Sequence, residues 1–253
     1  MMNTATLFLT SILSSLVASQ EPPANEPIPV DPIEETQEVA PSVADEGPAL
    51  LQDQNALREA RAALQAASVA RADAWFAELD TLQARFLQYS SNGTEIGGDI
   101  ALDRPGRVRI DYDDPSPILM VADGTTVALA DFELETIDRV PLSATPLRYV
   151  LGQDALDATD AVTEVNRADD RIYITLVDPE GETEGRLTLV FHDPEPEAAA
   201  TSMMLEGWLA IDVMGGLTEV RLSEATLNER LEPRLFILDD EDVIGSDRRR
   251  GRR

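Results

Sequence analysis

The spacing of apolar residues divides the chain into one long helix followed by a series of short strands. From about residue 50 to residue 79, apolar side chains recur every three or four positions without glycine or proline, which predicts an amphipathic helix. From Thr81 onward they recur at every second position, which predicts strands with two different faces. The predicted strands are 81–90, 96–104, 107–112, 118–122, 126–130 (continued by 132–137), 161–166, 171–177, 186–192, 205–213 and 217–222.

The connections between these strands are short, and several have the composition of hairpin turns. Pro105-Gly106, Asp123-Gly124 and Gly215-Gly216 each separate two predicted strands. Strands joined in this way pair antiparallel with their neighbours along the chain. We therefore expect a mainly β protein with some helix, built as a barrel or a strongly curved sheet that the helical segments plug or cap.

Arg104 is unusual because the alternation places a charged residue on the apolar face of a strand. It shares its parity with Ile100 and Leu102, and a buried charge needs hydrogen-bonding partners. The residue pattern leaves two interpretations open: a strand-end arginine whose guanidinium reaches water, or an interior arginine with a specific role. The apolar face continues in the next strand with Val108, Ile110 and Tyr112.

A second, much shorter helix is predicted in the middle of the chain. Thr145-Pro146 is typical of a helix start, with threonine as the N-cap and proline at the first helical position. Leu147, Val150 and Leu151 then form a small apolar face before the next glycine. A helix this short is not stable alone, so we expect it to pack onto the rest of the domain.

Both ends of the chain differ from the middle in composition. Residues 1–19 combine a short apolar run with small residues at 17–19, which predicts a secretory signal peptide. Residues 20–48 are rich in proline and acidic residues and contain no basic residue, which predicts a disordered spacer. Residues 239–253 are acidic and then arginine-rich, which predicts a disordered tail. The folded domain is expected at residues 49–238.

Removing residues 20–48 should leave the thermal stability of the protein nearly unchanged, because a disordered spacer buries little surface. The measurement is the midpoint of thermal unfolding, followed by circular dichroism, for the intact and the shortened chain. A loss of several degrees would show instead that the segment packs on the domain, for example along a sheet edge.

Charge and residue inventory exclude several classes of function. The formal net charge of −28 opposes binding to nucleic acid and electrostatic adsorption to anionic membranes. The chain has no cysteine, which excludes disulfides and thiol catalysis. His192 is the single histidine, and the sequence contains neither a phosphate-binding glycine loop nor a nucleophile elbow. We therefore expect no catalytic residue, no metal site and no cofactor.

An ordered set of short sequence features points to a known family. The most prominent is Arg104-Pro105-Gly106 with the alternating residues up to Tyr112. The others are the segments 82–88, 121–124, 143–147, 209–213 and 218–222. In order and spacing the set resembles the periplasmic outer-membrane lipoprotein carrier family, LolA, over roughly residues 53–238. The acidic spacer and the arginine-rich tail lie outside the resemblance.

The resemblance implies a half-open antiparallel β-barrel covered by a helical lid, with an apolar cavity that holds acyl chains. Carriers of this family take triacylated lipoproteins from an inner-membrane ABC transporter across the periplasm to an outer-membrane acceptor. The implied localisation is the periplasm, and the implied partners are these lipoproteins, the transporter and the acceptor. We expect a monomer that does not bind nucleic acid.

The resemblance also assigns roles to individual residues. The family's latch arginine corresponds to Arg104, in agreement with its place on the apolar face. The residues expected to line the cavity are Phe86, Ile100, Leu102, Val108, Ile110 and Tyr112. Those expected in the lid are Leu147, Val150 and Leu151. Two alternatives remain: a related lidded half-barrel that carries another lipid or senses lipoproteins as a regulator, and a secreted hydrolase with a dispersed carboxylate site.

Overall fold

The computed structural model describes residues 47–152, 156, 160–181 and 185–244, with side chains from residue 54 onward. The helices are α1 (Gly47–Ala77), α2 (Leu147–Leu151) and α3 (Asp240–Ile244), with 3-10 turns at Leu142–Ala144, Ala200–Ser202 and Pro233–Phe236. The strands are β1 (Thr81–Ser90), β2 (Glu95–Asp103), β3 (Arg107–Tyr112), β4 (Ile118–Asp123), β5 (Thr126–Asp131), β6 (Thr136–Pro141), β7 (Val162–Ala168), β8 (Arg171–Leu176), β9 (Arg186–His192), β10 (Met204–Ile211) and β11 (Leu217–Leu227).

All of these strands belong to one antiparallel sheet. Its order is β6-β5-β4-β3-β2-β1-β11-β10-β9-β8-β7, so β1 and β11, the first and the last of the described strands, pair at its centre. In the described part of the chain, β6 and β7 form the two edges and do not pair with each other. The sheet is therefore a curved, unclosed half-barrel, and the predicted fold class is confirmed.

The core follows from the alternation of side chains along the strands. In β1, for example, Leu82, Ala84 and Phe86 are buried, while the residues between them are half-buried. These inward side chains join one continuous apolar cluster from all parts of the sheet. Helix α1 covers the cluster with Val69, Ala72, Trp75 and Phe76. None of the helices in the described ranges is both long and apolar enough to cross a membrane.

Helix α1 is fixed to the connection between β9 and β10 by polar contacts. Arg71 donates from Nε and Nη2 to the two carboxylate oxygens of Asp193, at 3.0 and 2.8 Å. The fully buried Asp193 carboxylate also accepts a bond of 2.8 Å from Arg167. One turn further along α1, the Trp75 indole donates to the carbonyl of Met203 at 3.0 Å. The helix therefore cannot leave the sheet without breaking a buried ion cluster.

The C-terminal residues correct the predicted tail. Residues 240–244 were expected to be disordered, but they form α3, whose Val243 is completely buried. Val243 packs against Leu119, Val121 and Ala130, on the face of β4 and β5 that points away from the main core. The reason is visible in β4, where four consecutive residues are buried and both faces therefore need a cover. Residues 245–253 lie outside the described residues.

The remaining differences from the sequence predictions are small. Helix α1 begins at Gly47, inside the predicted spacer, and residues 1–46 lie outside the described residues. Phe132 and Leu134 lie in the exposed connection between β5 and β6 instead of continuing a strand. Strand β11 extends to Leu227, beyond its predicted end at residue 222.

Candidate functional site: an apolar cavity under a helical lid

A cavity of about 140 Å³ lies between the concave face of the sheet and the helices α1 and α2. The structure places all six predicted cavity residues on its wall: Phe86, Ile100, Leu102, Val108, Ile110 and Tyr112. The three predicted lid residues, Leu147, Val150 and Leu151, also line it. These nine side chains therefore line one space, and their role in holding cargo stays a proposal.

The prediction covered only one half of the wall. The strands β8 to β11 and the end of α1 supply a second set of apolar lining residues. These are Phe76, Leu79, Leu176, Leu187, Leu189, Leu205, Trp208, Ala210, Val220 and Leu222. The two-residue alternation of apolar side chains in β8 to β11 indicates that these residues share one face of the sheet. Only the curvature of the sheet, which sequence periodicity does not give, shows that the two halves face the same cavity.

Phe86 and Tyr112 form one end of the wall and depend on a glycine between them. Their rings pack edge to face, with centroids 5.3 Å apart. A Cβ atom on Gly98 would lie 2.5 Å from the Phe86 ring, so glycine leaves the space that the ring occupies. The Tyr112 hydroxyl donates to Gln88 at 3.2 Å, and burial raises the pKa of Tyr112 to about 12. Burial therefore favours the neutral form of this tyrosine.

Helix α2 is the predicted lid, and its start differs from the prediction. The N-cap is Pro146, and no side chain caps the helix. The Thr145 hydroxyl donates instead to the carbonyl of Leu142 at 2.9 Å, which closes the preceding 3-10 turn. The predicted capping role of Thr145 was wrong because this earlier turn uses the hydroxyl. Tyr149 and Leu151 are the buried residues of the lid.

Arg104 connects the lid to helix α1. Its guanidinium donates to two carbonyl oxygens, that of Phe76 at the end of α1 and that of Gly152 at the end of α2. The guanidinium carbon also lies 5.1 Å from the centre of the Phe76 ring. This is the interior placement that the strand parity and the family resemblance predict. The alternative interpretation, a strand-end arginine whose guanidinium reaches water, does not fit these contacts.

The environment of Arg104 disfavours the charged form of its guanidinium. Burial lowers the pKa of Arg104 below the ordinary arginine value, and attraction by Asp80 offsets part of this effect. The guanidinium binds neutral carbonyls, and its Nε is buried without a hydrogen-bond partner among the described residues. The guanidinium is therefore held by the two carbonyls with one of its donors left unsatisfied among the described residues.

The turn between β2 and β3 adds a backbone contact to the same lid end. The amide of Gly106 donates to the carbonyl of Leu151 at 2.9 Å. Gly106 has φ +81, and a Cβ atom there would lie 2.7 Å from the Cα atom of Gly124. Glycine is therefore required both by the backbone conformation and by the close approach of the neighbouring turn. Together, Arg104 and Gly106 satisfy carbonyls that the end of a short helix leaves free.

Fold and site define the chain as a lidded half-barrel with an apolar interior. The family described as outer membrane lipoprotein carrier protein LolA matches residues 77–239. Because this match spans more than half of the chain, the protein belongs to the LolA family of lipoprotein carriers.

The chain is similar to several known proteins at modest identity. An outer-membrane lipoprotein carrier protein from Halorhodospira halophila is 25% identical over 181 residues, which cover 68% of this chain and 81% of that protein. One from Methylococcus capsulatus is 29% identical over 165 residues, covering 62% and 76%. The crystal structure of a LolA superfamily protein from Nitrosomonas europaea aligns with a TM-score of 0.42 at 12% identity, covering 69% of this chain and 97% of that one.

Proposed function

We propose that this protein is a periplasmic carrier that binds the acyl chains of lipoproteins in its cavity and shuttles them from the inner to the outer membrane. The observation that carries the proposal is the apolar cavity beneath a lid held by Arg104, in a member of a lipoprotein carrier family. The function needs no catalytic residue, metal or cofactor. Its partners are triacylated lipoproteins, an inner-membrane ABC transporter and an outer-membrane acceptor, and it acts as a monomer.

The physical task of such a carrier explains an apolar cavity. An acyl chain costs about 0.8 kcal/mol for every methylene group that water surrounds, so it needs a cover during transfer. The carrier must also release its cargo without an energy source of its own. A lid held by a few charge-assisted hydrogen bonds, each worth roughly 1.5–3 kcal/mol, is weak enough for cargo to open it.

The cavity is small for the cargo that we propose. A cavity of about 150 Å³ in another protein holds a molecule as small as benzene, and the cavity here is of similar volume at about 140 Å³. Three acyl chains are much larger, so loading requires the lid to move away from the sheet. The lid contacts are therefore the part of the molecule that decides whether cargo enters.

The direct test is release of a lipoprotein from spheroplasts with the purified protein added outside. A carrier makes the lipoprotein soluble in the supernatant and leaves with it as a complex, which native mass spectrometry can identify. Bound phospholipid without lipoprotein would favour a carrier of another lipid. Turnover of ester or glycoside substrates, with no release of lipoprotein, would contradict the carrier and favour the hydrolase.

A variant that fills the cavity should abolish this release. Ala210 lines the cavity from β10, so Ala210→Trp places an indole ring where acyl chains would lie. We expect release to fall by at least about tenfold, the factor that corresponds to roughly 1.4 kcal/mol of lost cargo binding. The measurement is the amount of soluble lipoprotein per amount of carrier.

The neighbouring residue on β10 provides the matched control. Leu209 is half-buried and is not among the cavity-lining residues, so Leu209→Trp adds the same side chain on the other face of the strand. This control should release lipoprotein at the wild-type level. Equal release by Ala210→Trp and Leu209→Trp would show that cargo does not occupy the cavity.

A further inference from the structure

The lid has a second attachment, on the side away from Arg104. The Arg148 guanidinium of α2 forms an ion pair with Asp178, with Nη2 and Oδ1 2.7 Å apart. Its Nη1 donates to the carbonyl of Ser143 at 2.6 Å, and Nη2 also donates to the Tyr149 hydroxyl at 2.7 Å. Asp178 lies directly after β8, so this cluster joins the lid to the half of the sheet that Arg104 does not reach.

The two attachments hold the lid across the opening of the half-barrel. Arg104 and Gly106 belong to the turn between β2 and β3. Asp178 follows β8, which lies next to the edge strand β7 in the other half of the sheet. Helix α2 therefore bridges two parts of the sheet that are not neighbours in strand order. Lifting it clear of the cavity requires the contacts on both sides to break. Releasing one side alone would let the lid turn about the other.

Asp178 also has an unusual position for a carboxylate. Its side chain is completely buried, and it is one of the few charged residues among the mostly apolar side chains that line the cavity. The amide of Glu180 donates to the carboxylate oxygen that binds Arg148, at 3.1 Å. Moving the lid separates this carboxylate from Arg148 while leaving it at the cavity wall. Separation breaks the charge-assisted hydrogen bond between Arg148 and a buried anion, and it is therefore unfavourable.

We propose that Arg148 and Asp178 form a second latch, which must separate before acyl chains enter and whose re-formation helps to expel them. The inference rests on the proposed carrier function. The second latch differs in chemistry from the contact of Arg104, because Arg104 binds neutral carbonyls whereas Arg148 binds a buried anion. Arg148 and Asp178 are therefore positioning residues for the lid, and neutralising either one should weaken closure.

Amide hydrogen exchange tests the latch directly in the purified full chain. The amides of Tyr149 and Gly152 donate within the lid, to Pro146 and Arg148, so their exchange reports on lid opening. Asp178→Asn keeps the shape of the side chain and removes its charge. We expect exchange across residues 147–152 to accelerate by about tenfold or more, with the amides of β1 and β11 unchanged. Arg148→Gln, the second variant, should give the same pattern.

Binding of a fluorescent sixteen-carbon fatty acid supplies a second readout. If closure limits entry, a larger open population raises the apparent affinity by about the same factor as the exchange rate. A residue with a merely structural role would lower the melting temperature without improving the binding of an acyl chain. Tighter binding by both variants therefore supports the latch, and unchanged or weaker binding contradicts it.

A comparable ion pair away from the lid gives the matched control. Arg167 binds the equally buried Asp193 at 2.8 Å, and the two arginines are similarly exposed, at 30% for Arg167 and 23% for Arg148. Arg167→Gln should lower stability but leave lid exchange and fatty-acid binding at wild-type values. Lid exchange in Asp178→Asn that matches wild type would overturn the second latch. These measurements need no lipoprotein, whereas failure of the wild-type protein in the spheroplast assay would reject the carrier function itself.

Discussion

Replacing Arg104 with leucine should open the cargo-free lid and slow the delivery of cargo. The leucine keeps much of the apolar stem but removes the donors to Phe76 and Gly152, so the closed form should lose roughly 1–3 kcal/mol. Loading should persist because the cavity wall is intact. Delivery should slow because closing the lid no longer favours the departure of the acyl chains.

The measurement separates the two steps. Loading is assayed as release of lipoprotein from spheroplasts, and delivery as transfer from the loaded carrier to outer-membrane vesicles that contain the acceptor. Arg104→Lys should resemble the leucine variant, since an ammonium group cannot hold two acceptors in the fixed geometry of a guanidinium. Equal transfer by Arg104→Leu and wild type would refute the latch.

A neighbouring arginine controls for the loss of a positive charge. Arg107 begins β3 and pairs with Asp103 at 2.7 Å, and its guanidinium lies over the ring of Phe236. It makes no described contact with the lid. Arg107→Leu should therefore load and deliver lipoprotein at the wild-type rate, while it removes the same charge from the same turn.

The parts of this molecule that depend on local sequence could be predicted. Alternation placed Ile100, Leu102 and Arg104 on one face, and the structure has the two apolar residues on the cavity wall and the arginine beneath the lid. Short turns between strands were enough to give an antiparallel, curved sheet. These features follow from the two-residue period of a strand, which any single segment reveals.

The parts that depend on distant residues could not be predicted. Asp178 and Arg148 are separated by a strand pair and a loop, and nothing near either residue indicates that the sheet brings them together. Helix α3 was missed for the same reason, because Val243 is buried only by the outer face of β4 and β5. A long acidic stretch resembles a disordered tail until the apolar surface that one of its residues covers is known.

The largest effect on stability is expected at Asp193, which ties α1 to the sheet. Its carboxylate accepts from both Arg71 and Arg167 and is fully buried. Asp193→Asn should cost about 3 kcal/mol, because two arginines lose their buried anion, and lower the melting temperature by roughly 10 °C. Helix α1 should then exchange its amides faster than the strands do, which hydrogen exchange can measure.

The same carboxylate should make stability depend on pH in the acidic range. Burial alone would raise the pKa of Asp193, but the hydrogen bonds from Arg71 and Arg167 outweigh it and hold the pKa below its ordinary value. A carboxylate with a lowered pKa stabilises the fold fully above the unfolded pKa of about 3.9. This contribution disappears as the pH falls through the folded pKa.

The difference in melting temperature between wild type and Asp193→Asn should therefore be largest near neutral pH and shrink as the pH falls below the unfolded pKa and through the lowered folded pKa. Below the folded pKa the wild-type carboxyl is protonated and resembles the amide. Asp113 is a suitable control, because the pKa of this exposed carboxyl is also lowered, chiefly by a hydrogen bond from Arg85. Asp113→Asn should change the melting temperature little at any pH, since exposed ion pairs contribute little. A difference for Asp193→Asn that stays constant across this range would mean that its charge is not what holds α1 in place.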